Sequence, residues 1–174
     1  MRATDVLDIL GALDAAGIAV SIEGGWGVDA LLGRQTREHR DIDLAVARDD
    51  CDGAALALAA LGYRHDESAH PGLPGRFVLN DHNGRQIDFH PLDFDADGNG
   101  WQQLHVGGWF LHPGIYLWRD GMIDGTRVRC IAPELQLTFR LGYEWGEHDK
   151  HDLRLLADEF GIPLPPSLES SSRD

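Results

Sequence analysis

"EGGWGVDALLGRQTREHRDIDLAV", Glu23 to Val46, is the stretch on which the reading of the whole chain turns. It opens on paired glycines, carries Arg34, Arg37, His39 and Arg40 in its second half, and closes on Asp41 and Asp43 around one isoleucine. "DIDLAV" has the composition of a strand. Side chains alternate along a strand, so Asp41 and Asp43 share one face while Ile42 and Leu44 take the other. Two unit charges ~4 Å apart repel by ~4 kcal/mol at an effective dielectric of ~20. A strand end splayed into water relieves that repulsion. A divalent cation reverses it, and Mg2+ is typically held by one or two carboxylates together with phosphate oxygens.

The residues around the pair favour the cation. "IAVSI" reads as a buried strand, Gly24-Gly25 breaks it, and "WGVDALLG" reads as a short helix stopped by Gly33. A glycine turn between strand and helix offers free N–H groups to a phosphate. The basic residues just before the aspartates have the charge to neutralise a polyphosphate.

Further along, "GRFVLNDHNGRQIDFHP" reads as a hairpin turning at Asn83-Gly84. Its second arm places Gln86, Asp88 and His90 on one face and Ile87 and Phe89 on the other. Asp88 is therefore a third carboxylate on a strand that can lie beside the first. It suits either a metal ligand or a group that takes a proton from an attacking hydroxyl.

The flanking pattern is mixed. "TDVLDILGALDAAG" reads as a helix from a Thr4 cap to Gly17, and "DDCDGAALALAALG" as a second helix ending at Gly62. "TRVRCI" is a further strand, Pro133 opens a helix, and "DKHDLRLLADEFG" is a last amphipathic one. The proline- and serine-rich "IPLPPSLESSSRD" reads as a loose tail. The order implies a small mixed α/β sheet with a helical end piece.

Bulk properties set the limits. A chain of 174 residues suits one domain plus a small extension. Its net charge of -14 argues against nucleic acid or an anionic membrane as partner, and is compatible with a cationic small molecule. Two cysteines without a Cys-x-x-Cys pair give no disulfide framework and no zinc ribbon. No apolar run is long enough to span a bilayer, and the N-terminus has no leader pattern, so a cytoplasmic protein is expected.

"GGWGVD", "REHRDIDLAV", "IDFHP" and "ELQLTFRLGYEWGEHDKHDLRLL" together resemble the antibiotic nucleotidyltransferases of the DNA polymerase β superfamily. The small lincosamide enzymes are the nearest group and the aminoglycoside 2''-nucleotidyltransferases the neighbouring one. The resemblance runs over roughly residues 5 to 160. It implies a twisted mixed sheet flanked by helices over residues 1–131, a helical extension at 132–162 closing the cleft, and a tail at 163–174. The activity it implies is transfer of AMP from ATP, with two Mg2+ ions, to a hydroxyl of a small antibiotic. A lincosamide is the favoured acceptor and an aminoglycoside the alternative; a non-catalytic nucleotide-binding or toxin–antitoxin module is a third reading. A homodimer is the expected assembly.

The resemblance also distributes roles. Asp41, Asp43 and Asp88 would be the catalytic, metal-holding carboxylates. Gly24, Gly25, Asp29, Arg37, His39 and Arg40 would bind the nucleotide. His90, Trp118, Tyr143 and Glu144 would meet the acceptor. "DFDADGNG" imitates the start of a calcium loop, but the closing acid position is Leu104, so a solvated loop is expected. His148 and His151 are expected to cap a helix or face solvent.

Overall fold

The computed structural model describes residues 1–69, 74–141, 143–164 and 168. Six helices and nine strands are formed among them: α1 (Ala3–Ala15), β1 (Val20–Glu23), α2 (Gly24–Leu32), β2 (Asp41–Ala47), α3 (Cys51–Ala59), β3 (Arg64–His65), β4 (Phe77–Asn80), β5 (Gln86–Phe94), β6 (Gly100–Gln103), β7 (Trp109–His112), α4 (Gly114–Leu117), β8 (Arg119–Ile123), β9 (Thr126–Cys130), α5 (Pro133–Arg140) and α6 (Glu147–Phe160).

The strands lie in the order β3-β4-β5-β2-β1-β9-β8, with β6 and β7 extending from the far half of β5. The sheet is mixed. β2 runs parallel to β5 and antiparallel to β1, and β1 runs parallel to β9.

Strand alternation gives the sheet two different faces. Ile42, Leu44, Ile87, Phe89, Ile22 and Cys130 point to one side, where Val6, Ile9 and Leu13 of α1 and Ala54 and Leu58 of α3 complete the main core. The other face carries Glu23, Asp43 and Asp88, followed by Ala45 and Leu92. The last two enter a smaller core with Leu117, Ile131 and Leu135. Burial of one face therefore leaves the acids of the other to line a cleft. Val28 of α2 and Leu156 of α6 meet in a third cluster that docks the last helix.

The expected hairpin is present: β4 and β5 pair antiparallel, and Gly84 takes φ +74° at the turn. Gly33 caps α2 in the left-handed conformation and Pro133 opens α5. Two expectations shift. The first helix is capped by Arg2, whose backbone N–H donates to Asp5 at 2.8 Å, so Thr4 lies inside the helix. The second helix starts at Gly24 directly after β1, with no intervening loop. The calcium-like loop is a turn between β5 and β6. There the Asp95 carboxylate accepts from the backbone N–H groups of Asp97 and Asn99 and from the Trp101 indole. Residues 165–167 and 169–174 of the expected loose tail lie outside the described residues. No described helix is long and apolar enough to cross a membrane.

Candidate active site

Three adjacent strands bring three acids into one row. Glu23 of β1 is the register partner of Asp43 of β2, and Asp43 is the register partner of Asp88 of β5. Residues paired across strands share a face, so the row follows from register and alternation alone. His90, two positions after Asp88, stands on the same face. One ligand atom each from Asp43, Asp88 and His90 lies within 4.8 Å of the others. Asp41 sits at the exposed start of β2 and lines the same cavity as Asp43.

The neighbourhood fixes each group. Asp43 packs on the backbone of Gly24, which has φ +56°, and a Cβ at that position would strike the carboxylate. Asp88 receives the Arg76 guanidinium, whose Nε donates to both carboxylate oxygens at 2.6 and 2.7 Å. Glu23 is 1% exposed. Its Oε2 lies 2.5 Å from His90 Nδ1 and its Oε1 lies 3.4 Å from His112 Nδ1.

The electrostatics match a cation. Burial pushes Asp43 up to about 7; the carboxylates of Asp41, Asp88 and Glu23 add to the rise, and His90 opposes it. Burial likewise works to raise Glu23, but the two imidazoles outweigh it and hold the acid low. Burial works to lower His90, but Glu23 beside it wins and holds the ring high. Asp43 is thus an acid whose charge is disfavoured until a positive ion arrives. Two carboxylates and an imidazole converging on one point are a donor set that fits a divalent metal.

The cavity beside this row has a volume of about 430 Å3. Gly24 and Gly25, at the N-terminus of α2, form one edge. Arg37 and Arg140 bring positive charge to the rim, and Leu104, Phe110 and Phe139 form an apolar wall. A larger hollow of about 670 Å3 lies between α1 and β9 and shares no lining residue with the cleft. Its walls include Leu7, Leu10 and Val128, whereas the metal-ligating cluster found among the described residues lies at the smaller cavity.

The expected residues are distributed unevenly. Asp41, Asp43, His90, Gly24, Gly25, Arg37 and Tyr143 line the cleft. Asp88 adjoins it through the Asp43–His90 cluster. Asp29 is buried and accepts from the backbone N–H and the hydroxyl of Thr36, at 3.0 and 2.6 Å. His39 is buried too, with Nε2 2.6 Å from Asp29 and its ring against Trp26. These two tie the loop after α2 to its own helix. Arg40 and Glu144 are exposed and do not line the cleft. Trp118 stacks near Phe94 and borders the larger hollow.

The structure adds contacts that the sequence pattern does not predict. Arg37 donates to both oxygens of Asp152 in α6, at 3.1 and 2.9 Å. Arg140 of α5 reaches the same carboxylate at 3.3 Å, and Gln136 donates to the carbonyl of Gly24 at 3.2 Å. The C-terminal helices are thereby tied to the glycine edge of the cleft. Glu23, Arg76 and His112 are equally unmarked. A buried acid at the end of an apolar strand was the one available clue to Glu23.

The chain is similar to known proteins. The sequence model of the aminoglycoside-2''-adenylyltransferase family matches residues 5–156. A lincosamide resistance protein of Staphylococcus haemolyticus is 33% identical over 135 residues, covering 78% of this chain and 81% of that protein. A 2''-aminoglycoside nucleotidyltransferase of Klebsiella pneumoniae is 49% identical over 72 residues, 41% of each chain. The lincomycin-bound crystal structure of the lincosamide antibiotic adenylyltransferase LnuA superposes with a TM-score of 0.77 at 29% identity, covering 88% of this chain and 94% of that one. A family model that matches residues 5–156, together with a relative 33% identical over 78% of the chain, places this chain in the aminoglycoside-2''-adenylyltransferase family.

Proposed function

We propose that this protein inactivates a lincosamide antibiotic by moving AMP from ATP onto one of its hydroxyl groups. The observation that carries the reading is the register pair Asp43–Asp88 beside the free N-terminus of α2. Carboxylates suited to a cation beside a helix end suited to a phosphate support that reading.

In this reading Gly24 and Gly25 bring backbone N–H groups to the triphosphate, and Arg37 neutralises part of its charge. Asp41, Asp43 and Asp88 would hold Mg2+, with Asp43 in the middle of the set. The metal, when bound, stabilises charge on the transferring phosphoryl group and on the leaving pyrophosphate. Asp88, oriented by Arg76, takes the proton of the acceptor hydroxyl as its oxygen bonds to the α-phosphorus and the bond to pyrophosphate breaks. Residues 1–131 supply this chemistry, and 132–162 close the cleft through Arg140 and Asp152.

The lining favours a lincosamide over an aminoglycoside. Leu104, Phe110 and Phe139 offer hydrocarbon to an amphipathic acceptor. Asp149, an acid on the same wall, is already engaged by the Tyr143 hydroxyl at 2.9 Å and the Gly146 N–H at 3.1 Å. Glu144 and Trp118 carry no part of the proposal. The protein should be incubated with ATP, Mg2+ and panels of lincosamides and aminoglycosides, and the products weighed by mass spectrometry. AMP on a lincosamide is the expected result. AMP on aminoglycosides alone would replace the acceptor, and no adduct on any acceptor would overturn the reading.

A further inference from the structure

Glu23 takes no part in the reaction just described, yet the fold encloses it with care. It is one strand away from Asp43, and both of its oxygens face imidazoles. His112 is fixed from behind. Gln102 donates its amide N–H to the Gly75 carbonyl at 2.8 Å, which turns its Oε1 to His112 Nε2 at 3.2 Å. A buried carboxylate needs such partners to offset its lost hydration.

This clamp decides how His90 stands. A carboxylate only accepts, so the proton between Glu23 and His90 sits on Nδ1. Nε2 then becomes the ring atom turned toward the acid pair, 3.9 Å from Asp88 Oδ1. An ion with ligand bonds of roughly 2.1 Å separates neighbouring ligand atoms by roughly 3 Å and opposite ones by roughly 4 Å. The Asp88–His90 pair at 3.9 Å falls in that range, and the three ligand atoms, all within 4.8 Å of one another, need to close by less than about 1 Å to share an ion.

We infer that His90 Nε2 is a nitrogen ligand of the catalytic cation, that Glu23 is its positioning residue, and that the site takes Mn2+ in preference to Mg2+. The inference deepens the cation-binding part of the proposed reaction and rests on it. A metal-bound histidine commonly gives its other N–H to a carboxylate, which orients the ring and raises its basicity. Mg2+ prefers oxygen alone, whereas a mixed oxygen–nitrogen set moves selectivity toward transition metals.

The test uses the full chain with Mn2+ and inorganic tripolyphosphate, a probe that contains no nitrogen. Pulsed electron paramagnetic resonance should detect imidazole 14N coupled to bound Mn2+. His90→Asn should lose that coupling. Glu23→Gln should weaken Mn2+ binding about 10- to 100-fold, with circular dichroism unchanged. If Glu23→Gln does not fold, the half-buried His90→Asn still decides the matter. Bound Mn2+ without nitrogen coupling in the wild type overturns the inference and leaves the proposed function standing. Coupling that survives His90→Asn also overturns it. No bound Mn2+ or Mg2+, together with no AMP transfer to any acceptor, brings down both.

Discussion

Arg37 and Asp152 are 115 positions apart in the chain and form a two-point ion pair, with side chains 21% and 2% exposed. The pair joins the loop before β2 to the last helix. Arg37 thus has two loyalties: it stands over Gly25, and it anchors α6. Burial alone works against its charge, but the Asp152 carboxylate more than compensates and the guanidinium is held above its usual range.

Asp152→Ala should therefore act on stability and on nucleotide binding together. It strips a partner from Arg37 and from the 6%-exposed Arg140. Removing one partner of a buried ion pair costs about 3 kcal/mol, and the loss here is eased because Arg140 keeps Asp149 at 3.4 Å and Arg37 is partly exposed. Urea unfolding should show that loss, and the KM for ATP should rise as α6 loosens from the cleft rim. An unchanged unfolding midpoint would mean that the helix is held by Val28 and Leu156 alone.

Gly24→Ala separates strain from chemistry. The residue has φ +56°, where an L side chain costs roughly 1–2 kcal/mol. The new methyl group would also meet the Asp43 carboxylate and push it out of the row. The expected result is a modest drop in melting temperature with at least a hundredfold loss of turnover. The contrast is checked by running thermal unfolding and steady-state kinetics on the same preparation.

Much of this site was legible in the sequence. Alternation alone places Asp41 with Asp43, and Asp88 with His90. The Asn83-Gly84 turn fixes the hairpin that carries the second pair. The parallel register that sets Asp43 against Asp88 was not legible, because β2 and β5 are joined through α3 and the β3–β4 pair rather than by a turn. Asp29 and His39 show the opposite limit. Their types suit nucleotide binding, but the chain after α2 folds back and spends both on anchoring its own loop. The strands at 100–103 and 109–112 are not legible in the sequence, because four residues each carry too little alternation to mark a strand. Arg140 and Asp152 read as ordinary helix charges until tertiary packing buries them.

The raised Asp43 gives a pH dependence with a definite sign. Its acid binds a proton more tightly in the folded chain, near 7, than at the ordinary value of 3.8. The native state therefore holds more protons between these values, and this group's contribution to stability falls as pH rises from about 4 to about 7. Without divalent metal, Asp43→Asn should gain on the wild type in melting temperature across that window. Adding Mn2+ or Mg2+ at pH 8 should stabilise the wild type and leave Asp43→Asn unmoved. Parallel melting curves for the two proteins through the window would expose the wrong sign at once.

The apolar wall can be tested apart from the carboxylates. Leu104 is half-buried at the end of β6 and lines the cleft, without belonging to any of the buried clusters. Phe139 is a poorer probe, since it packs on Phe110 and His112 and its loss would disturb both. Leu104→Ala removes three carbons, and if the acceptor covers about two of them the loss is about 1.5 kcal/mol. That corresponds to about a tenfold rise in the acceptor's KM, with the KM for ATP unchanged because the glycine edge is untouched. Equal shifts for both substrates would place Leu104 under the nucleotide. No shift for either would move the acceptor to the opposite wall, beside Tyr143.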